Sequence, residues 1–182
     1  MKLMNVIGLC GSLRASSTNR SLLQAAQALA PTNLCISSIV DGTVVSHFNP
    51  ELEPHVPPEA ADWRSLAGTA DGIILSTPEY AAGIPGAFKN ALDWLVGEPR
   101  VYMKPVAIFS ASERSLGAKD ALRLTLTTMS LDIIEPASIC LPLLGRTVTA
   151  EEVASDYRGE ISGALAAFAD EIAGRGLKST VA

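Results

Sequence analysis

A three-layer α/β domain, doubly wound around a parallel five-stranded sheet of order 2-1-3-4-5, is the fold this sequence predicts. Short apolar runs alternate with helix-period segments along the chain, the pattern of repeated β-α units joined by right-handed crossovers. Runs such as Ile73-Ile74-Leu75 and Val106-Ala107-Ile108-Phe109 are continuously apolar, as strands covered on both faces must be. The chain has 182 residues, 48% of them hydrophobic, and shows no internal repeat, low-complexity tract or linker. Residues 1–182 therefore read as a single domain with one sizeable core.

The strands are expected at Met4–Cys10, Leu34–Val40, Gly72–Ser76, Pro105–Ser110 and Ile133–Cys140. Helices are expected at Asn19–Leu29, Glu59–Ala70, Pro85–Val96 and Leu116–Met129. A last helix runs from about Glu151 to Ile172, with Val153, Tyr157, Ile161, Leu165, Phe168 and Ile172 recurring at helical spacing. Glu151 and Glu152 suit its first turn and Gly174 its end. The irregular stretch Asp41–Pro58 holds Pro50, Pro54, Pro57 and Pro58; it is read either as a wall of a site, an oligomer contact or a surface excursion.

Composition excludes several classes. With a net charge of −5, a pI near 5.0 and no lysine/arginine cluster, no nucleic-acid surface is expected. A local basic patch around Arg14 and Arg20 is compatible with that balance. Mean hydropathy is +0.27 and aromatic residues make up 5% of the chain, so the core is expected to be compact and aliphatic. No apolar run is long enough for a membrane span and no signal peptide is read, which makes the expected location cytoplasmic. Cys10, Cys35 and Cys140 are scattered in apolar stretches and are expected to be buried, inert thiols. His47 and His55 lack ligand partners at metal spacing, and Asp41, Glu51 and Glu53 are expected as solvated loop charges, so no metal is assigned.

The stretch carrying most chemistry is Gly11-Ser12-Leu13-Arg14-Ala15-Ser16-Ser17-Thr18-Asn19-Arg20, set between the first strand and the first helix. Helix starts leave backbone N–H groups unpaired and so favour anions. This start adds hydroxyls, an amide and guanidinium groups, with Ser17 or Thr18 as the cap. Neither G-x-x-x-x-G-K-[ST] nor G-x-G-x-x-G is present, so a single phosphate suits the loop better than a triphosphate or a pyrophosphate. A helix end contributes roughly 0.3–1 kcal/mol per nearby anion; Arg14 and the hydroxyls must supply the rest.

A second loop, Ser76-Thr77-Pro78-Glu79-Tyr80-Ala81-Ala82-Gly83-Ile84-Pro85-Gly86, follows the third strand and leads into a helix with Pro85 in its N1 region. Phe88, Ala91, Leu92 and Leu95 form that helix's buried face, Lys89 and Asp93 an i,i+4 pair, and Trp94 a packed rather than catalytic residue. In the order 2-1-3-4-5, the crevice between the carboxyl ends of strands 1 and 3 is the switch point where ligands bind. Ser110-Ala111-Ser112, at the end of strand 4, closes the same mouth.

Taken together, Gly11-Ser12-x-Arg14-x-x-Ser17-x-Asn19, Pro78-Glu79-Tyr80 and Pro85-Gly86-x-x-Lys89-Asn90-Ala91-Leu92-Asp93-Trp94 resemble the NADPH-dependent FMN reductase family, which includes quinone, chromate and azo-dye reductases of flavodoxin-like fold. The resemblance covers about the first two-thirds of the chain. It implies that Ser12, Arg14, Ser17, Thr18 and Asn19 surround the FMN phosphate. It further implies that Pro78, Glu79, Tyr80 and Ala81 border the isoalloxazine and that Ser110, Ala111 and Ser112 meet its pyrimidine edge. The implied activity is NAD(P)H oxidation through bound FMN, with NADPH or NADH as reductant and a quinone-like or other small molecule as acceptor. Donor and acceptor would use one crevice in turn, and no protein residue is expected to be catalytic, because hydride chemistry belongs to the flavin. The alternative is a flavodoxin-like FMN electron carrier or flavin sensor without efficient NAD(P)H oxidation; a module for another small phosphorylated ligand is a third reading. A homodimer or homotetramer is also implied, through the Pro-Gly helix and the Asp41–Pro58 stretch.

Two departures stand out. Ala81 occupies a position that is usually Asn in the family, a loss of one hydrogen bond worth roughly 1 kcal/mol. The segment after strand 4, usually a double glycine followed by Arg-Ala-Gln, is Leu116-Gly117-Ala118-Lys119-Asp120-Ala121. Arg100, Arg114 and Lys119 are surface charges and candidate contacts for a nicotinamide-nucleotide phosphate.

Overall fold

The computed structural model describes residues 3–42 and 45–179. The remaining positions of the expected 1–182 domain, including residues 43 and 44 of the Asp41–Pro58 stretch, lie outside the described residues. Strands β1 (Met4–Cys10), β2 (Leu34–Asp41), β3 (Gly72–Ser76) and β4 (Pro105–Ser110) form a parallel sheet with two short strands, β5 (Asp132–Ile133) and β6 (Ile139–Cys140), both paired to β4. The order is β2-β1-β3-β4-β5, the doubly wound flavodoxin-like topology. Helices α1 (Thr18–Ala28), α2 (Pro58–Thr69), α3 (Gly86–Asp93), α4 (Leu116–Thr128), α5 (Ala150–Asp156) and α6 (Arg158–Ser179) cover its faces.

Period-2 side-chain alternation divides the core into two layers. On one face Val6, Ile74, Ala107 and Phe109 pack with Leu22, Leu23, Leu165 and Phe168 from α1 and α6. On the other, Ile7, Leu9, Ile73, Leu75, Val106 and Ile108 pack with Trp63, Phe88, Leu92 and Leu122 from α2, α3 and α4. Edge strand β2 alternates between buried and exposed residues at its start, which turns Cys35 outward. Of the three thiols, Cys10 is buried, Cys140 half-buried and Cys35 exposed, so the expectation of three buried thiols fails at the sheet edge.

The fifth strand is not the continuous Ile133–Cys140 run. A 3₁₀ turn at Glu135–Ala137 splits it, because Pro136 has no N–H to give a ladder. Ser138 mends the gap: its Oγ accepts from Ile108 N at 3.1 Å and donates to Ile134 O at 3.0 Å. The last helix is likewise two. The apolar stripe holds, with Val153, Ile161, Leu165, Phe168 and Ile172 buried, but the backbone leaves helical geometry at Tyr157 (φ −124°, ψ 29°). Gly174 ends neither helix, since α6 continues to Ser179. Pro85 stands one position before its expected place, as the N-cap of α3.

The stretch after β2 is clamped to the protein. Phe48 N donates to Asn90 Oδ1 (2.8 Å), Trp94 Nε1 donates to Ser46 O (2.7 Å), and the Phe48 and Trp94 rings meet edge to face at 5.2 Å. Within it, Pro50–His55 forms a 3₁₀ helix. Arg64, nearly buried, forks onto both Glu53 oxygens, donates to Trp94 O and lies over the Trp94 ring. Glu53 is therefore a paired group rather than a solvated one, and so is Asp41, which holds Arg20 at 2.8 Å. The Lys89–Asp93 pair forms as expected and Trp94 is packed.

Behind α3, Arg100 donates from Nε and Nη2 to the two carboxylate oxygens of Glu98, pulling that carboxyl from 4.5 down to about 2. The folded state favours the carboxylate, so its contribution is complete above pH 4.5 and is lost as pH falls from there through about 2. Glu98→Gln is expected to lower the urea midpoint at neutral pH, with the gap to the parent protein closing as both are titrated toward pH 2. A gap that does not narrow on acidification would assign the loss to packing instead.

Candidate functional site

Every strand of a parallel sheet ends on the same edge, so the loops after β1, β3 and β4 meet above it. They enclose a cleft of about 340 Å³, within the range of small-molecule sites. One end is the start of α1. Ser17 is its N-cap, in extended geometry, and its Oγ accepts from Arg20 N at 3.2 Å. The N–H groups of Thr18 and Asn19, in the first turn, have no acceptor within the helix and provide an anion-binding end. Ser12 Oγ accepts from Arg14 N at 3.4 Å, which folds the loop back so that Arg14 and Ser16 stand exposed at the rim. Beneath, burial raises the pKa of the Cys10 thiol, whose Sγ donates to Ser12 O.

The second wall, Thr77–Tyr80, is locked by a carboxylate. Glu79 Oε2 accepts from Ala118 N at 2.8 Å, serving as the cap that Ser115, the residue preceding α4, does not provide. A Cβ on Gly117 would lie 2.4 Å from Ala82 O, so only glycine allows the loop to approach α4 this closely. Tyr80 and Gly83 exchange both backbone hydrogen bonds around Ala81 and Ala82, at φ +50° and +58°. This is a type I′ turn, which requires left-handed backbone at both central residues and favours Asn-Gly. Ala81 thus carries a backbone cost in addition to any lost hydrogen bond. The third wall repeats the device of the first, with Ser112 Oγ accepting from Arg114 N at 3.1 Å.

Of the residues singled out in the sequence, Ser12, Arg14, Ser17, Thr18, Asn19, Pro78, Glu79, Tyr80, Ala111 and Ser112 line this one cleft. Ala81 and Ser110 do not; Ser110 is buried and its hydroxyl donates to Ser112 O. Two liners are turned to structural partners. Asn19 Oδ1 accepts from Ser76 Oγ at 3.0 Å, and Thr18 Oγ1 donates to Arg146 O at 3.1 Å. Arg20 is tied to Asp41, so it does not join Arg14 in a free basic patch. Arg100 is held by Glu98, and Lys119 donates to Cys140 Sγ at 3.2 Å.

Ser16 and Thr77, which belong to the two loops singled out in the sequence but are not assigned there as contacts, also line the cleft, whereas sequence reasoning missed Ser115 and the whole segment Leu143–Thr147, which forms a further side of it. The signal for that segment was topological: it follows the last strand, and that strand ends on the ligand edge like the others. Residues 45–58 line no part of the cleft. Among the described residues, no group of three or more His, Cys, Asp or Glu is placed to hold a metal, and no helix is long and apolar enough to cross a membrane.

The NADPH-dependent FMN reductase family model matches residues 4–142. The chain is 34% identical over 135 residues to an NAD(P)H:quinone oxidoreductase from Solanum tuberosum, covering 71% of this chain and 70% of that one. It is 33% identical over 134 residues to an NAD(P)H-dependent FMN reductase from Pseudomonas aeruginosa, covering 71% and 72%. Among solved structures, the flavoenzyme NAD(P)H:(acceptor) oxidoreductase FerB from Paracoccus denitrificans superposes with a TM-score of 0.69 at 22% identity, covering 93% of this chain and 97% of that one; this likeness is one of fold.

The Tyr80–Gly83 turn yields a direct test. Ala81→Asn places a residue that tolerates the left-handed region at a position where alanine is strained. It is expected to stabilise the protein by about 0.5–1 kcal/mol, read as a rise of roughly 1–4 °C in melting temperature. An unchanged or lowered melting temperature would show that the turn carries no such strain.

Proposed function

The chain belongs to the NADPH-dependent FMN reductase family, and from that premise we propose that it is an FMN-dependent NAD(P)H oxidoreductase that reduces quinone-like or other small acceptors. The observation that carries the reading is one cleft, at the β1/β3 switch point, with an anion-binding helix start at one end and walls suited to a flat ring beside it. The residues present fit FMN. Arg14, Ser12, Ser16, Ser17 and the backbone N–H groups of Thr18 and Asn19 would hold the phosphate. Pro78, Glu79 and Tyr80 would lie along the ring system on one side, with Ala111 and Ser112 on another.

FMN, when bound, would supply the hydride chemistry between a nicotinamide nucleotide and the acceptor. The protein's part is to orient the ring and control access to it. Glu79 fixes the wall by capping α4. Tyr80, 50% exposed at the mouth, is the side chain best placed to cover an arriving ring and shed water from it. One mouth serving both partners supports alternating, ping-pong use by donor and acceptor. We also propose assembly as a homodimer or homotetramer, in keeping with exposed apolar side chains such as Leu116 and Leu124 on α4.

NADPH or NADH consumption by the FMN-loaded protein with menadione is expected to be rapid and catalytic. Flavin binding with almost no NAD(P)H consumption would instead establish an electron carrier or flavin sensor. Arg14→Ala is expected to weaken FMN binding roughly tenfold or more while leaving riboflavin, which lacks the phosphate, unaffected. Equal losses for the two flavins would place Arg14 in folding rather than in recognition.

A further inference from the structure

The cleft has a side that the family match does not reach. The match ends at residue 142, and the next residues, Leu143–Thr147, line the cleft beside the start of α1. This segment is built into place. Leu143 is fully buried and its N–H donates to Ala111 O at 3.2 Å, at the end of β4. Arg146 N donates to Leu143 O at 3.1 Å across a turn with Gly145 at φ +76°, the left-handed third position of a type II turn. From α1, Thr18 Oγ1 donates to Arg146 O and Ser21 Oγ donates to Val148 O at 2.8 Å. The helix start that forms the anion-binding end therefore also positions the backbone of Arg146.

The Arg146 side chain is held loosely. Its Nη1 lies 3.3 Å from Tyr157 Oη and its Nη2 3.3 Å from Asp156 Oδ2, both long contacts, and the side chain is 45% exposed. An exposed pair of this kind contributes little to stability. Most of the guanidinium's five donors are uncommitted. The break between α5 and α6 at Tyr157 is what sets these two partners beside it. Charge sharpens the point. A phosphate monoester carries close to two negative charges, yet in the loop before and at the start of α1 Arg20 is occupied by Asp41, leaving Arg14 alone.

We propose that Arg146 is the second phosphate-reading residue of the cleft. Its guanidinium, carried by a segment outside the family match and held only by long contacts to Asp156 and Tyr157, turns to the phosphate and discriminates FMN from unphosphorylated flavin. This inference rests on the FMN-reductase reading and adds a specificity residue to it. No bond is made or broken; the guanidinium donates charge-assisted hydrogen bonds to the phosphate oxygens.

The test titrates FMN and riboflavin into the stripped full-length protein, following quenching of flavin fluorescence for the parent, Arg146→Ala and Arg146→Lys. The melting temperature and circular dichroism of each variant are recorded alongside. Arg146→Ala is expected to weaken FMN roughly ten- to hundredfold, with riboflavin affinity unchanged and the fold intact. Arg146→Lys is expected to recover part of the loss, since it keeps the charge but not the fork. The FMN affinity of Arg146→Ala should also depend less on ionic strength. A parent protein that prefers FMN over riboflavin, with that preference intact in both variants, overturns the inference and leaves the reductase reading standing. Equal losses for the two flavins also overturn it, by showing that Arg146 acts through the fold. A parent protein that binds neither flavin overturns the reductase reading and the inference together.

Discussion

Strand β1 is hydrogen-bonded along its length to parallel neighbours on both sides, and the site depends on that constraint. Parallel pairing obliges each strand to end on the edge where its neighbours end. With α1 departing to one face and α3 to the other, the loops after β1 and β3 separate at their ends and leave a crevice that neither helix fills. The buried alternation of Val6 and Ile7, Ile73 and Ile74, Val106 and Ala107 keeps the register from slipping, because a shift by one residue would exchange the two core layers. The hydroxyls and N–H groups of the cleft are thus placed by the apolar core beneath them.

The cleft walls are fixed by polar bonds between loops rather than by packing. Glu79 reaches across to the start of α4, Asn19 receives a hydrogen bond from Ser76 at the end of β3, and Thr18 pins the segment that carries Arg146. Each bond joins two segments distant in the chain, so together they make the rim one connected unit. Such bonds are individually modest, about 0.5–1.5 kcal/mol. Their effect here is preorganisation: a ligand entering a rim already ordered does not bear the entropy of ordering it. Several side chains that look like ligand contacts in the sequence are in fact partly occupied with holding the site open.

The motif Lys89-Asn90-Ala91-Leu92-Asp93-Trp94 has a different part. Asn90 and Trp94 fasten residues 46 and 48, Arg64 lies over Trp94, and the group as a whole clamps the stretch after β2 onto α3. Ala81 and Ala82 mark the opposite situation, a turn whose geometry the surrounding structure imposes on residues that do not favour it. The turn survives because Glu79 and Gly117 anchor the loop on α4, where Ala82 O makes its close approach.

The sequence by itself determined the positions of the first four strands, the sheet order and the edge on which the cleft lies, because continuous apolar runs and right-handed crossovers leave few alternatives. Residue types at β1 and β3 likewise marked Ser12, Arg14, Ser17 and the Pro78–Tyr80 wall, since an anion-binding helix start and a rigid turn have local signatures. The break at Pro136 lies hidden in the apolar run Ile133–Cys140, and the strand expectation misses it. What only the tertiary structure decided was which polar groups face the cleft and which face each other. Thr18 binds the backbone of residue 146, Asn19 the hydroxyl of residue 76 and Arg20 the carboxylate of residue 41. Two of these three bonds join segments more than fifty residues apart, and all three lie beyond any local pattern. The same holds for Leu143–Thr147: nothing in its composition announces a site, and it belongs to one because the chain after the last strand returns to the first helix, where Thr18 and Ser21 hold it.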